Sequence, residues 1–175
     1  YNPSSSNNVT SVTAPVLTEI QYWTGIGYRN DGNATALGSA PDSVVATYTT
    51  TGTVTPTYNQ TDITYYGVYE RTLSFISGQS ATSTTVTKTQ YLNSNETAIS
   101  SVNAPLGAPI NYWTPIGYRL DTNASAPEFD VTEYGVNLTP NYTCTNTLYG
   151  IYQRELHVVY NGNTAENGQT NDTTK

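Results

Sequence analysis

Between Ile63 and Ile76 the chain reads ITYYGVYERTLSFI. On an extended backbone Ile63, Tyr65, Gly67, Tyr69, Arg71, Leu73 and Phe75 share one face, and Tyr66, Val68, Glu70 and Thr72 share the other. A period of two in a segment rich in Tyr, Val and Ile predicts one long strand, or two strands bent at the Glu70–Arg71 pair. Leu148, Gly150, Tyr152, Arg154, Leu156 and Val158 reproduce the same row further on. Gly67 and Gly150 interrupt it at matching places. Either the tryptophan of the same copy, Trp23 or Trp113, covers the gap, or the strand carries a bulge there. Upstream, APVLTEIQYW and APLGAPINYW leave room for one helical turn at most. VTPTYNQTDI and LTPNYTCTNT then supply a Pro-containing turn before the long strand. Each half of the chain therefore predicts about four strands with at most one short helix.

These matches belong to an internal repeat. Tyr1 to Pro15 aligns with Tyr91 to Pro105 at an offset of 90, and IQYWTGIGYR aligns in the same register with INYWTPIGYR. Eight of those ten positions are identical. YYGVYERTLSF pairs with LYGIYQRELHV at an offset of 83, so the second copy has lost seven residues after GYR. That stretch is rich in Gly, Ala, Ser and Thr, where a loop absorbs length at little cost. Two units result, 1–88 and 89–175, each closing in a Thr-rich linker at Lys88 or Lys175. Cutting instead before Leu73 and Leu156 leaves partial units at both ends.

Composition sharpens the β reading. Charged residues are 11% of the chain, against roughly 25% in an average soluble domain. Thr, Asn, Ser and 16 Tyr take their place; Thr and Tyr favour pleated, half-buried surfaces. Six Lys and Arg against 13 Asp and Glu give a net charge of −7, which offers no electrostatic footprint for nucleic acid. No apolar run approaches the roughly 18 residues of a membrane span, so no insertion is expected within this sequence. Cys144 stands alone, which leaves no intrachain disulfide and no Cys-based zinc site. It reads as a small residue on a strand, with nothing basic nearby to activate it.

Chemistry is sparse. His157 is the one histidine, and Ser74 occupies its place in the first copy, so it reads as a partly exposed strand residue. Glu128, Asp130 and Glu133 could pair as acid and base, but the first copy offers only Asp42 nearby, and a solvated loop explains them. Asp31-Gly-Asn33 and Asp121-Thr-Asn123 recur at one spacing. They could open a calcium loop, but its closing Glu is missing and Asx-turns account for them. An isopeptide crosslink needs a buried lysine, whereas Lys88 and Lys175 lie in the expected linkers. No catalytic residue, cofactor or metal site is assigned. Eight Asn-x-Ser/Thr sequons exceed the compositional expectation only slightly. Among the aromatics, Trp23, Trp113, Tyr28 and Tyr118 read as core, and Arg29 and Arg119 as partners for a ring or a carboxylate. Tyr22 and Tyr112, each beside a Trp, are the aromatics expected to stay exposed and able to stack on a ligand.

The second copy runs GYRLDTNASAPEF, YGVNLTP and NTLYGIYQ; the first runs GYRNDGNATA, TGTVTP and DITYYGVYE. In order and spacing these motifs resemble the Listeria–Bacteroides repeat, the internalin B-repeat family. Tyr28 and Tyr118 stand where that family usually has Trp, and Gly67 and Gly150 where it has Ala. The resemblance implies β-grasp-like units arrayed end to end in a bacterial surface protein, extracellular and anchored to the cell wall through other regions. It implies a stalk or spacer of an adhesin whose main partners are neighbouring repeats of the same chain. The other expectation is a module that binds a host glycan or protein through its exposed aromatics.

Overall fold

The computed structural model describes residues 9–30, 46–47, 49–56, 59, 62–93, 99–131, 136–161 and 170–174. These residues are mainly β. In chain order the strands are β1 (Val12–Thr13), β2 (Thr24–Arg29), β3 (Thr53–Val54), β4 (Tyr66–Ser77), β5 (Thr84–Asn93) and β6 (Val102–Asn103). They continue with β7 (Thr114–Arg119), β8 (Phe129–Asp130), β9 (Asn137–Leu138), β10 (Thr147–Gln153), β11 (His157–Asn161) and β12 (Thr170–Thr174). No α-helix occurs among the described residues. The helical turn allowed before each Trp is not formed, because Pro15, Pro105 and Pro109 hold those segments open. Among the described residues the helical element is a 3-10 turn, Ser80–Thr82, between β4 and β5.

β4 is the long strand expected from the alternation. Gly67, Tyr69, Arg71, Leu73, Phe75 and Ser77 are buried along one face, while Thr72 on the other face is exposed. β5 pairs antiparallel with β4 from Val68 to Ser77 and occupies one whole edge. On the opposite edge β2 pairs with Tyr66–Glu70, and β10 then pairs in parallel with Ser74–Ile76. The sheet order is β2-β4-β10-β7-β8, with β5 also on β4. The Thr-rich stretch before Lys88, expected as an exposed linker, is strand instead, with Lys88 opposite Leu73. Position 88/89 lies inside β5, and the other cut, before Leu73, lies inside β4.

The second copy breaks where the first does not. β10 ends at Gln153, Arg154, Glu155 and Leu156 are exposed, and β11 begins at His157. Both forms allowed for the alternating segment are thus realised, one in each copy. Neighbours decide between them: β4 is flanked on both edges and covered, and the Arg154–Leu156 stretch is not.

Bulges do occur, but in β2 and β7. Gly25 and Gly27 face the adjacent residues Tyr69 and Val68, so Ile26 is the extra residue. Gly117 and Pro115 likewise face Ile151 and Tyr152 around Ile116. Gly117 has φ +157°, and a Cβ there would collide with the Phe129 carbonyl oxygen and come within 2.7 Å of Pro127 Cβ. The space beside Gly150 is taken by Ser77, 3.0 Å from a Cβ placed there, and by the Tyr152 ring, not by Trp113.

Buried and half-buried tyrosines tie each proline-bearing strap to the sheet. Tyr28 Oη donates to Pro15 O at 3.0 Å and Tyr69 Oη to Thr18 O at 2.8 Å. Their counterparts Tyr118 and Tyr152 donate to Pro105 O at 3.0 Å and Ala108 O at 2.8 Å. A short strand pair closes the far side of each strap, β1 on β3 and β6 on β9. Two clusters form the core. One joins Leu17, Trp23, Tyr69 and Leu92. The other draws Leu73 and Phe75 of β4 into contact with Val102, Ala104, Tyr118, Val131, Leu138 and Leu148.

Two outcomes follow from these contacts. Gly117→Ala, which forces backbone against backbone, is expected to cost about 2 kcal/mol or more in urea unfolding; an unchanged midpoint would contradict the bulge geometry. Burial pushes the Tyr118 hydroxyl up to about 12, and burial raises that of Tyr28 as well. A raised folded value keeps Tyr118 neutral where an unfolded tyrosine, near 10, ionises. Its contribution is complete below about pH 10 and is lost as the pH rises through about 12, at about 1.4 kcal/mol per pH unit. Unfolding followed by tyrosinate absorbance across that window checks the slope.

Candidate functional site

Each strap ends in a tight turn that presents a tryptophan. Trp23 N–H donates to Ile20 O and Trp113 N–H to Ile110 O, both at 3.0 Å. The third turn residue has positive φ, +72° at Tyr22 and +68° at Tyr112. Turns of this kind favour Gly or Asn there, and a tyrosine held left-handed costs on the order of 1 kcal/mol. Both copies accept that strain at the same place.

An arginine from the long strand lies over each indole. Arg71 Cζ is 4.5 Å from the Trp23 ring centroid, and Arg154 Cζ is 4.7 Å from that of Trp113. The pairs match in geometry and differ in surroundings. Arg71 and Trp23 are both 3% exposed, while Trp113 is 38% exposed and Arg154 is exposed. The turn at Pro140–Cys144 makes the difference. Arg71 Nη1 donates to Cys144 O at 2.9 Å, and Nη2 donates to Pro140 O at 3.1 Å and Asn141 O at 2.9 Å. Nε donates to Gln90 Oε1 at 2.7 Å, and Gln90 in turn donates to Ser100 O and Pro140 O. The Trp23 indole N–H donates to Tyr142 O at 2.8 Å.

All of these oxygen acceptors are neutral, so the charge is held by dipoles and a π face. Burial draws the guanidinium below its ordinary value, and the Cys144 sulfur partly opposes that. Sγ lies 3.5 Å from Nη2. Cys144 therefore sits in a turn rather than on a strand, and a basic group is beside it after all, brought from 73 residues away. No spacing rule in the sequence reveals that approach.

The aromatics expected to be exposed are exposed. Tyr22 is 39% and Tyr112 93% accessible. Their rings make no contact with each other among the described residues. Tyr22 borders the Pro140–Asn146 turn, its carbonyl accepting Asn146 Nδ2 at 3.2 Å. Trp23 and Tyr118 are core as expected, whereas Tyr28, also expected as core, is half-buried. Trp113, expected as core, is 38% exposed because Arg154 is over its ring but no turn equivalent to Pro140–Cys144 closes the site among the described residues. Arg119 pairs with Asp121 at 3.0 Å and Glu128 at 3.6 Å. That guanidinium, followed by the Asn123 N–H, holds the Asp121 carboxyl below the usual range. Asp121 and Asn123 form successive Asx-turns to Asn123 N and Ser125 N. Asp31–Asn33, Asp42, Glu133 and Lys175 lie outside the described residues. His157 is an exposed residue of β11. No group of three or more His, Cys, Asp or Glu that could hold a metal ion occurs among the described residues.

Sequence reasoning placed Arg71 and Arg154 on the strand face but did not couple them to the tryptophans. The signal was present, since Trp and Arg recur together in both copies. No family model, no curated protein and no solved structure matches the chain.

The two arginines should behave oppositely. Arg71→Ala strips donors from a dry site and is expected to cost about 3–5 kcal/mol. Arg71→Lys should recover little of that loss, because an ammonium cannot replace the planar fork. Arg154→Ala should cost under about 1 kcal/mol, the worth of an exposed cation–π contact. Chemical denaturation of the three variants measures the contrast, and equal losses at 71 and 154 would refute it.

Proposed function

We propose that the chain is a pair of tandem repeats, 1–88 and 89–175, of an extracellular bacterial surface protein, acting as stalk or spacer of an adhesin. The observation that carries this reading is the junction at Arg71. Non-equivalent parts of the two copies meet there, the first copy offering the Arg71–Trp23 plate and the second its Pro140–Cys144 turn. A joint with a shared core and a shared sheet holds successive units at one angle, which is what a spacer requires. The motif order resembling the internalin B-repeat family supports the surface setting and the β-grasp-like reading of each unit. Low charge and the near-absence of cysteine agree with it.

Small-angle scattering in dilute solution is expected to give a radius of gyration well above the roughly 16 Å of a compact 175-residue globule, with a rod-like cross-sectional regime. A compact, isotropic profile would sink the stalk reading.

A second reading rests on Tyr112, which is 93% exposed on a strained turn beside an exposed Trp113. Such a pair suits stacking on a sugar ring or packing against a host protein. Glycan-array binding by the multivalent chain that disappears in Tyr112→Ala would favour it, and an absence of hits at high valency would count against it.

A further inference from the structure

Inside the chain one junction is complete. Leu73 and Phe75, on the far half of β4, are fully buried in the second copy's core, Phe75 meeting Tyr118 edge-on at 5.0 Å between centroids. They pack there against Val102, Ala104, Tyr118, Leu138 and Leu148. Next to them Ser74–Ile76 carries Thr147–Tyr149 as a parallel strand, and Arg71 receives the carbonyls of the Pro140–Cys144 turn.

Each half of that junction exists a second time, open. The residues matching the acceptor core are Val12, Ala14, Tyr28, Val54 and Tyr65, and all five line a cavity of about 290 Å³. Val12 at its rim is 57% exposed. The residues matching the donor are Leu156 and Val158 in place of Leu73 and Phe75, and Leu156 is 47% exposed. Beside them Arg154 covers Trp113, and its guanidinium makes no hydrogen bond among the described residues. β11 pairs with β12 on one edge, and its other edge has no strand partner among the described residues. Donor and acceptor thus belong to different copies of the repeat in one molecule.

We propose that a second copy of this chain docks head to tail on the first, seating Leu156 and Val158 of one molecule in the Val12–Tyr28–Tyr65 cavity of the next. The Pro56 carbonyl of the incoming copy, matching that of Pro140, serves Arg154 as Pro140 O serves Arg71. Thr64–Tyr66 runs along β11 as Thr147–Tyr149 runs along β4. The occupant is argued from the internal junction, which uses the matched residues of the same chain. It also rests on the repeat reading proposed above. Because donor and acceptor differ, the contact is heterologous and leads to an open series rather than a closed dimer.

Sedimentation velocity of the full chain from about 10 μM to about 1 mM tests it, a range suited to a junction that works at high local concentration. The weight-average mass is expected to rise at least twofold without a plateau at the dimer. Leu156→Glu and Val12→Glu, both at exposed positions, should each abolish the rise, and Arg154→Glu serves as a second donor-end variant should Leu156→Glu lose its fold. Mixing the Leu156→Glu and Val12→Glu chains leaves one intact donor and one intact acceptor, so a one-to-one complex should form and stop there. No rise across the range, or variants that associate like the parent, overturns the proposal. Either result leaves the dilute scattering profile unaffected, so a failure of docking and a failure of the stalk reading are told apart.

Discussion

A guanidinium removed from water with no carboxylate to meet it is the constraint around which the described residues are arranged. Arg71 has Gln90, three backbone carbonyls and an indole face in place of a counter-ion. These groups come from three remote stretches, and each depends on its own local device. The indole needs the turn at Tyr22. Gln90 needs β5 in register along the whole of β4. The carbonyls need the Pro140–Cys144 turn, in which Asn141 O also accepts Cys144 N–H and Asn141 Oδ1 accepts Thr143 N–H. A dry charge is costly if any one of these is missing. The site therefore joins the two halves of the sequence in one arrangement.

Position in the chain, more than local sequence, decides what each half does. YWTGIGYR and YWTPIGYR make the same turn and the same bulge, because turn and bulge are set within the motif and by its paired strand. The segments ERTLSF and QRELHV share an arginine and a leucine, yet one continues as strand and the other breaks. Leu73 is fully buried and Leu156 is 47% exposed. The difference is the neighbour: β10 and the second copy's core cover the first segment, and nothing equivalent among the described residues covers the second. Intrinsic β preference is weak enough for that contact to decide.

The alternation made β4 legible, since a buried face leaves a period-two record. The composition made the mainly β class legible for the same reason. The proline straps were visible too, although the tyrosine hydroxyls that fasten them were not, because a hydroxyl reaching a carbonyl leaves no pattern in sequence. Tyr22 and Tyr112 were legible as exposed, since each stands next to a bulkier ring, of which Trp23 takes the inward place and Trp113 stays partly exposed. Arg71 was the largest omission. An arginine on an apolar face reads as an exception to the alternation until the carbonyls of residues 140, 141 and 144 are brought over it, and that approach spans about seventy residues. Lys88 misled for the opposite reason: a run of threonines has the composition of a linker and equally that of an edge strand, and only pairing with β4 separates the two.

The period of the sequence and the boundary of the packing do not coincide. Gln90 lies beyond position 88, yet it completes the site of Arg71 and Trp23, and β5 crosses that position while paired with β4 throughout. Leu73 and Phe75 lie before it, yet they fill the core around Tyr118. Material is exchanged in both directions across any single cut. A segment of 80 to 90 residues buries too little apolar surface to be very stable alone, and the exchange offsets this by making each core partly its neighbour's. The same exchange leaves two unfinished surfaces, one at Val12 and Tyr65 and one at Leu156 and Trp113. Their incompleteness is a direct consequence of how the middle is built.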